Sequence, residues 1–221
     1  MQGRKKFYSH FERPADLCFD IGANTGEKSR VLLELGARVA AVEPQSQCGP
    51  ALEELKRKYG EHFIYIRKAV GDVRGDQELY IGNTSEISTF SGAHIKYFGR
   101  DGVLRWNKKE TVEVITLDEL LTEYGTPSFL KVDTEGYETN VLSRLSRKIN
   151  HVEFEFIPAF KAEAKKCIDM IARFGRVEFN YNIYEQPRFE LQQWVDADEM
   201  KLVLDNIPPN IVHGNVFARC V

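Results

Sequence analysis

The most constraining feature of the chain is a short apolar run, Leu17-Cys18-Phe19-Asp20-Ile21, that stops on the turn Gly22-Ala23-Asn24-Thr25-Gly26. Beyond the turn, Val31, Leu32 and Leu35 recur at helical spacing and Gly36 ends the pattern. A run of that length bounded by glycine reads as a buried strand, and the glycine at its far end as a helix stop. The alternation continues at once. Residues 38–42 predict a second buried strand closed by Glu43-Pro44; Leu52, Leu55 and Tyr59 mark a helix ending near Gly60; residues 63–69 predict a third strand. Strands separated by helices with short connections pair in parallel through right-handed crossovers.

The pattern resumes further on. Residues 129–133 predict a fourth strand, Val141, Leu142 and Leu145 a helix, residues 152–157 a fifth strand and 162–174 another helix. Residues 177–183 and 212–220 alternate well enough to close the sheet as a pair of strands, with a helix over 196–207 halted by Pro208-Pro209. The expected fold is α/β: a doubly wound, mostly parallel seven-stranded sheet with a C-terminal antiparallel strand. Residues 76–81 and 111–116 read as short strands flanking roughly 28 residues without strong periodicity. A loop that long inside a compact domain is commonly a lid or binding element. It carries Lys96, Arg100, Arg105, Lys108 and Lys109 among Tyr97, Phe98 and Trp106. Two readings stand: a solvated loop held by aromatic anchors, or a lid over an anionic or ring-shaped acceptor.

Composition enters where function classes are excluded. A length of 221 residues suggests one domain, with 1–15 as an N-terminal extension and 82–110 and 184–211 as insertions. With 43% hydrophobic and 29% charged residues the chain is neither disordered nor fibrous. A formal charge of -3 gives no phosphate-binding field over the whole surface, so nucleic acid is an unfavoured partner. There is no apolar h-region at the start and no run long enough to span a membrane. Cys18, Cys48, Cys167 and Cys220 are scattered, without zinc-site spacing, so a cytoplasmic protein with reduced thiols is expected. Oligomeric state leaves no readable mark.

The first turn carries chemistry. Its glycines let backbone approach a ligand, and the following helix offers free N–H groups. Glu43 ends the second strand 21 residues beyond Gly22, where a carboxylate can accept both hydroxyls of an unphosphorylated ribose. A dinucleotide site wants G-x-G-x-x-G; Ala23-Asn24 leave G-x-x-x-G instead. Asp20 just before the turn would oppose a pyrophosphate but could orient an ammonium, directly or through water. S-adenosylmethionine carries one.

The stretches FDIGANTG and AVEP resemble the first motif and following acidic position of class I S-adenosylmethionine-dependent methyltransferases. VITLDELL, FLKVDTEGYE and VEFEF resemble, in order and spacing, the FkbM-type branch of that superfamily. The resemblance runs over residues 16–156 and implies a Rossmann-like methyltransferase fold and O-methylation of a sugar or natural-product-like small molecule. On this reading Gly22, Ala23, Asn24 and Gly26 wrap the methionine and ribose of S-adenosylmethionine and Glu43 holds the ribose hydroxyls. Asp72 either reads the adenine amino group or belongs to a plain turn. Asp133 faces sulfonium and acceptor, where it takes the acceptor proton or attracts the cationic donor; its rival role is capping the next helix.

Glu135 has the same two roles open, catalytic or capping, and His94 is a secondary candidate base whose bland reading is an exposed loop histidine. Glu153 and Glu155 share a strand face, a costly arrangement unless they are hydrogen-bonded, protonated or metal-bound. Three carboxylates from adjacent strand ends could hold Mg²⁺, but acidic strand ends are common in such folds without an ion, and no metal is assigned. The expected partner is a small hydroxylated acceptor, with an anionic one included, and no membrane. A nucleic-acid methyltransferase using the 96–109 loop, and a non-catalytic adenosine-binding module, are the competing readings.

Overall fold

Side-chain alternation along the strands decides the architecture, and the computed structural model shows it over residues 2–11, 13–208 and 210–221. Pro209 of the expected helix stop lies outside the described residues. In chain order the elements are α1 (Gln2–Tyr8), β1 (Leu17–Ile21), α2 (Glu27–Glu34), β2 (Arg38–Val42), α3 (Gly49–Tyr59) and β3 (Phe63–Ile66). Then come β4 (Ala69–Gly71), β5 (Gly75–Ile81), α4 (Gly92–Phe98), β6 (Lys108–Thr116), α5 (Leu117–Tyr124) and β7 (Phe129–Val132). The chain closes with α6 (Glu138–Ser143), β8 (His151–Phe156), α7 (Lys161–Ala172), β9 (Val177–Ile183), α8 (Ala197–Asp205) and β10 (Gly214–Cys220).

Among the described residues the strands form a seven-stranded sheet of order β3-β2-β1-β7-β8-β10-β9 and a three-stranded sheet of order β4-β6-β5. Pairing in the large sheet is parallel except at β10, which runs antiparallel to both β8 and β9. Phe19, Ile21, Leu130, Val132, Val152 and Phe154 point to one face and pack with the apolar stripes of α5, α6, α7 and α8. Cys18, Val39, Ala41, Phe129 and Phe217 point to the other, under α1, α2 and α3. Both faces are thus covered, as a buried parallel sheet requires. From β1 the chain winds outward to β2 and β3, then returns to place β7 on β1's other side. The crevice at the carboxyl ends of β1 and β7 is therefore the topological switch point.

Four segments depart from the sequence reading. Residues 63–69 are not one strand: the Lys68 N–H turns back onto the Ile66 carbonyl at 3.0 Å, so β3 stops there and Ala69 enters the small sheet beside Val114. The strand expected at 111–116 starts at Lys108, because the antiparallel ladder with β5 runs from Gly75↔Val114 to Ile81↔Lys108 and lets its charged residues alternate outward. The 82–110 segment is ordered by a helix: α4 is capped by the Ser91 hydroxyl, which accepts from the His94 N–H at 3.2 Å. The N-terminal extension, to which the sequence assigned no element, contains α1. Phe7, Tyr8 and Phe11 are buried there, with Phe7 and Phe11 packed on Phe189 and Phe217. No helix of the described residues is long and apolar enough to cross a membrane.

The switch-point crossing leaves no room for a side chain at Gly22. Its φ is +79°, and a Cβ there would collide with the carbonyl oxygen of Asp133. Gly22→Ala therefore combines a left-handed backbone with overpacking and is expected to lower stability by about 2–4 kcal/mol. Urea denaturation checks this; a loss below about 1 kcal/mol would mean that the two strand ends are not so tightly apposed.

Candidate active site

Three neighbouring strands carry a row of charges directly beneath the crevice. Asp20 of β1, Lys131 of β7 and Glu153 of β8 are register partners, so their side chains lie side by side on one face. All are buried, with Asp20 and Glu153 fully so. Lys131 Nζ lies 3.9 Å from Asp20 Oδ1 and 2.8 Å from Asp133 Oδ2, one rung higher. Burial opposes the ammonium, but the Asp133 and Asp20 carboxylates outweigh it and hold the Lys131 pKa above its ordinary value. Glu153 accepts from the Tyr8 hydroxyl with both oxygens at 3.0 Å and stands 3.5 Å from Lys28 Nζ. Lys28 in turn donates to Tyr8 and lies 3.8 Å from Glu185. This ties α1, α2 and the chain after β9 into one polar cluster.

Above that row opens a cavity of about 360 Å³, a size typical of small-molecule sites. One wall is the β1–α2 turn, contributing Gly22, Ala23, Asn24 and Thr25. Glu43 stands at the end of β2, only 2% exposed, with one oxygen accepting from the Asn24 N–H at 2.8 Å and the other from the Gln45 N–H at 2.9 Å. Burial raises the Glu43 pKa, and these two N–H groups oppose the rise. Backbone N–H groups hold both oxygens of its carboxylate, with the Gln45 side chain assisting, and the oxygens keep acceptor capacity for a ligand. The 82–110 segment is pinned to the same wall: Ser85 donates to Asn24 Oδ1 at 2.9 Å and Ser88 to Gln45 Oε1 at 2.7 Å.

The far end of the cavity is acidic. Asp133, Glu135 and Glu155 each contribute an oxygen within 4.8 Å of the others. Burial first, then the Glu155 and Asp133 charges, push the Glu135 pKa well above its usual range. Burial and Asp133 raise Glu155 to about 8, against a 3.3 Å contact with His213 Nδ1 that lowers it. Glu138 next to them accepts from the N–H groups of Thr134 at 2.7 Å and Gly136 at 3.1 Å, so it fastens the β7–α6 turn.

Several sequence-derived candidates meet at this cavity: Gly22, Ala23, Asn24, Glu43, Asp133 and Glu135 all line it. Four do not. Asp20 lies one layer below, accepting from the Ser29 hydroxyl at 2.6 Å and facing Lys131, because strand alternation turns it under α2. Gly26 meets Leu52 and Leu55 of α3 and serves the packing of the turn. The Asp72 carboxylate accepts from the Tyr137 hydroxyl at 3.3 Å, and it is Tyr137 that lines the cavity. His94 is 2% exposed, not an exposed loop residue. The cap of α4 turns its ring inward against Phe98 and Phe160, and burial lowers its pKa to about 4.

Sequence reasoning missed Arg4, Lys28, Lys131, Glu185 and His213, which also line the cavity. A lysine in the apolar run Phe129-Leu130-Lys131-Val132 was a visible signal; the others come from distant segments. The basic and aromatic residues of the 96–109 loop line no part of this cavity. Trp106 donates its indole N–H to the Ile87 carbonyl at 2.7 Å and so anchors the loop.

The methyltransferase FkbM domain profile matches residues 20–200, and the chain belongs to that family of S-adenosylmethionine-dependent methyltransferases. Solved structures share its fold. Precorrin-6y C5,15-methyltransferase from Geobacter metallireducens superposes with a TM-score of 0.50 at 10% identity, covering 98% of this chain and 86% of that one. Trm5b from Pyrococcus abyssi superposes at 0.51 and 12% identity, covering 99% of this chain and 47% of that one. No functionally curated protein matches significantly.

The charge row makes a stability prediction. Lys28→Met leaves Glu153 buried with the Tyr8 hydroxyl as its close partner, a change that typically costs about 3–5 kcal/mol. Burial already raises the Glu153 pKa, and losing the cation raises it further. A carboxyl whose folded pKa exceeds its unfolded one gains from protonation on folding, so the deficit grows as pH rises through that interval. Urea unfolding should show a larger loss at pH 8 than at pH 5; equal losses would contradict this account.

Proposed function

We propose that the protein transfers the methyl group of S-adenosylmethionine to a hydroxyl of a small, oxygen-rich acceptor. The observation that carries this reading is the pairing of a carboxylate fixed by backbone N–H groups at one wall of the cavity with a carboxylate cluster at the other. Glu43 supplies two acceptors in fixed geometry for the ribose hydroxyls, while Gly22, Ala23 and Asn24 let backbone approach the ligand. Ala69, Val70 and Tyr137 give the neighbouring wall an apolar surface suited to a purine. The charge complement of the sulfonium is the acidic end.

Methyl transfer is an in-line displacement whose rate depends mainly on holding the nucleophile about 3–3.5 Å from the methyl carbon. The acceptor oxygen forms the new C–O bond as the C–S bond breaks, the electron pair passes to sulfur, and the hydroxyl proton must leave. Asp133 and Glu135 stand where they can take that proton, and at Glu135 burial and the neighbouring Glu155 and Asp133 carboxylates favour accepting it. His94 Nε2 lies 3.8 Å from Glu135 Oε2 and acts through that side chain as a positioning residue. Asp20 acts through Lys131, and Asp72 through Tyr137.

A small acceptor fits better than nucleic acid because the loop's basic residues do not face the cavity and its tryptophan is committed to the Ile87 carbonyl. In this reading the whole chain works as one unit, with the 82–110 and 184–211 segments as acceptor walls. We assign it to the cytoplasm, where thiols stay reduced.

Glu43→Ala should weaken S-adenosylmethionine binding at least about a hundredfold by calorimetry, since two hydrogen bonds to a charged group are lost. Unchanged affinity would remove the donor from this wall. Asp133→Asn keeps an oxygen for Lys131; it should leave donor binding nearly intact and slow turnover by about 10²–10⁴. The acceptor for that assay comes from incubating the enzyme with labelled donor and a metabolite extract. Label found on nitrogen or carbon instead of oxygen would overturn the hydroxyl assignment.

A further inference from the structure

The carboxylates at the acidic end come from three places in the chain: Asp133 follows β7, Glu135 sits in the β7–α6 turn, and Glu155 is on β8. Their oxygens lie within 4.8 Å of one another. Glu135 holds a left-handed φ of +55°, a conformation of non-glycine residues that costs energy and is found mainly at functional sites. Its carbonyl is held by the Thr89 hydroxyl at 2.6 Å, which fixes the strained residue in place.

Two further observations point to a missing ligand. Glu155 is 9% exposed, and its Oε2 has no hydrogen-bond partner among the described residues. His94 is more deeply buried, and its ring meets Glu135 only loosely: the Glu135 backbone offers a weak acceptor, and Nε2 faces Glu135 Oε2 at 3.8 Å, so neither ring nitrogen is fully satisfied by the described residues. Buried polar groups left unsatisfied cost roughly 1–3 kcal/mol each, so their concentration around one point calls for a group that engages them.

The charge balance indicates the sign of that group. Glu138 adds a fourth carboxylate nearby, but it is occupied by the turn's N–H groups. Lys131 reaches only Asp133 of the three, and His213 contacts only Glu155. One Asp133 oxygen faces Lys131; the other, with Glu135 and Glu155 Oε2, remains for a cation. Three carboxylate oxygens without a thiolate are a hard donor set, suited to Mg²⁺, Mn²⁺ or Ca²⁺. Opposite ligands of an ion at about 2.0–2.6 Å lie roughly 4–5 Å apart, which is the spacing available.

We propose that Asp133, Glu135 and Glu155 hold a hard divalent cation at the acidic end of the cavity, with His94 as the positioning neighbour of Glu135. The site retains open coordination toward the cavity. On the methyltransferase reading above, on which this part rests, those positions take oxygens of the acceptor and orient its hydroxyl toward the methyl group. A second cavity of about 280 Å³ shares Glu155 as a wall and gives the acceptor further room on that side.

The test uses the full chain, stripped with chelator and titrated with Mn²⁺ alone, reading free ion by electron paramagnetic resonance. One saturable site is expected, displaced by Mg²⁺ or Ca²⁺, with affinity lowered at least about tenfold in Glu135→Gln and in Glu155→Gln. In the wild-type chain, substoichiometric Mn²⁺ should broaden the ring resonances of His94 and His213 before those of His10 and His62, a readout that needs no variant to fold. No bound Mn²⁺ at about 1 mM, or equal broadening of all four rings, would overturn the proposal. S-adenosylmethionine binding is measured on the same samples. Donor binding without Mn²⁺ binding rejects the cation alone; Mn²⁺ binding without donor binding rejects the donor reading of the cavity and leaves the cation site standing.

Discussion

The Asp20–Lys131–Glu153 row is the constraint on which the rest of the structure depends. Parallel strands buried on both faces are normally apolar throughout, and this sheet keeps that rule on the face under α5, α6, α7 and α8. On the opposite face it changes from Cys18 and Phe129 to Asp20 and Lys131 within two residues. A buried charge row of this kind survives only if it is paired and hydrogen-bonded. Lys131 lies between the two acids, Ser29 satisfies one oxygen of Asp20, and Tyr8 and Lys28 complete Glu153. The helices α1 and α2 are therefore held to the sheet by charge as well as by packing. The same lysine reaches up to Asp133 and sets one wall of the cavity.

A second constraint acts at the cavity wall built by the β1–α2 turn and the end of β2. Glu43 is fixed by two backbone N–H groups, one from the β1–α2 turn and one from its own turn after β2. It joins the two loops that form this wall of the cavity. Asn24 and Gln45 then each receive a serine hydroxyl from the segment between β5 and α4. The long insertion is thereby attached to that cavity wall through side chains, while Trp106 closes it on itself. What the basic residues of that segment contribute to the surface is separate from what the cavity presents to a ligand.

Much of this was legible in the sequence because it is local. The alternation of strand and helix, the glycine turn after β1 and the carboxylate ending β2 all lie within short stretches whose periodicity reports burial directly. The same logic failed where a residue's surroundings come from elsewhere in the chain. Residues 63–69 read as one apolar strand, since nothing local reveals that Lys68 turns back on Ile66. His94 read as a loop histidine because its burial depends on Phe160, far along the chain. Asp20 stands next to the turn in sequence yet points beneath it, a consequence of the two-residue alternation of a strand.

The sequence by itself determined the doubly wound sheet, the family and the residues of the first turn, because side-chain period and turn chemistry are carried by neighbours along the chain. Only the tertiary structure decided which carboxylates share a space: Asp133, Glu135 and Glu155 converge through parallel register and a tight turn, and Arg4, Glu185 and His213 arrive from opposite ends of the chain. Electrostatic interaction depends on distance through space and on burial, and sequence separation encodes neither.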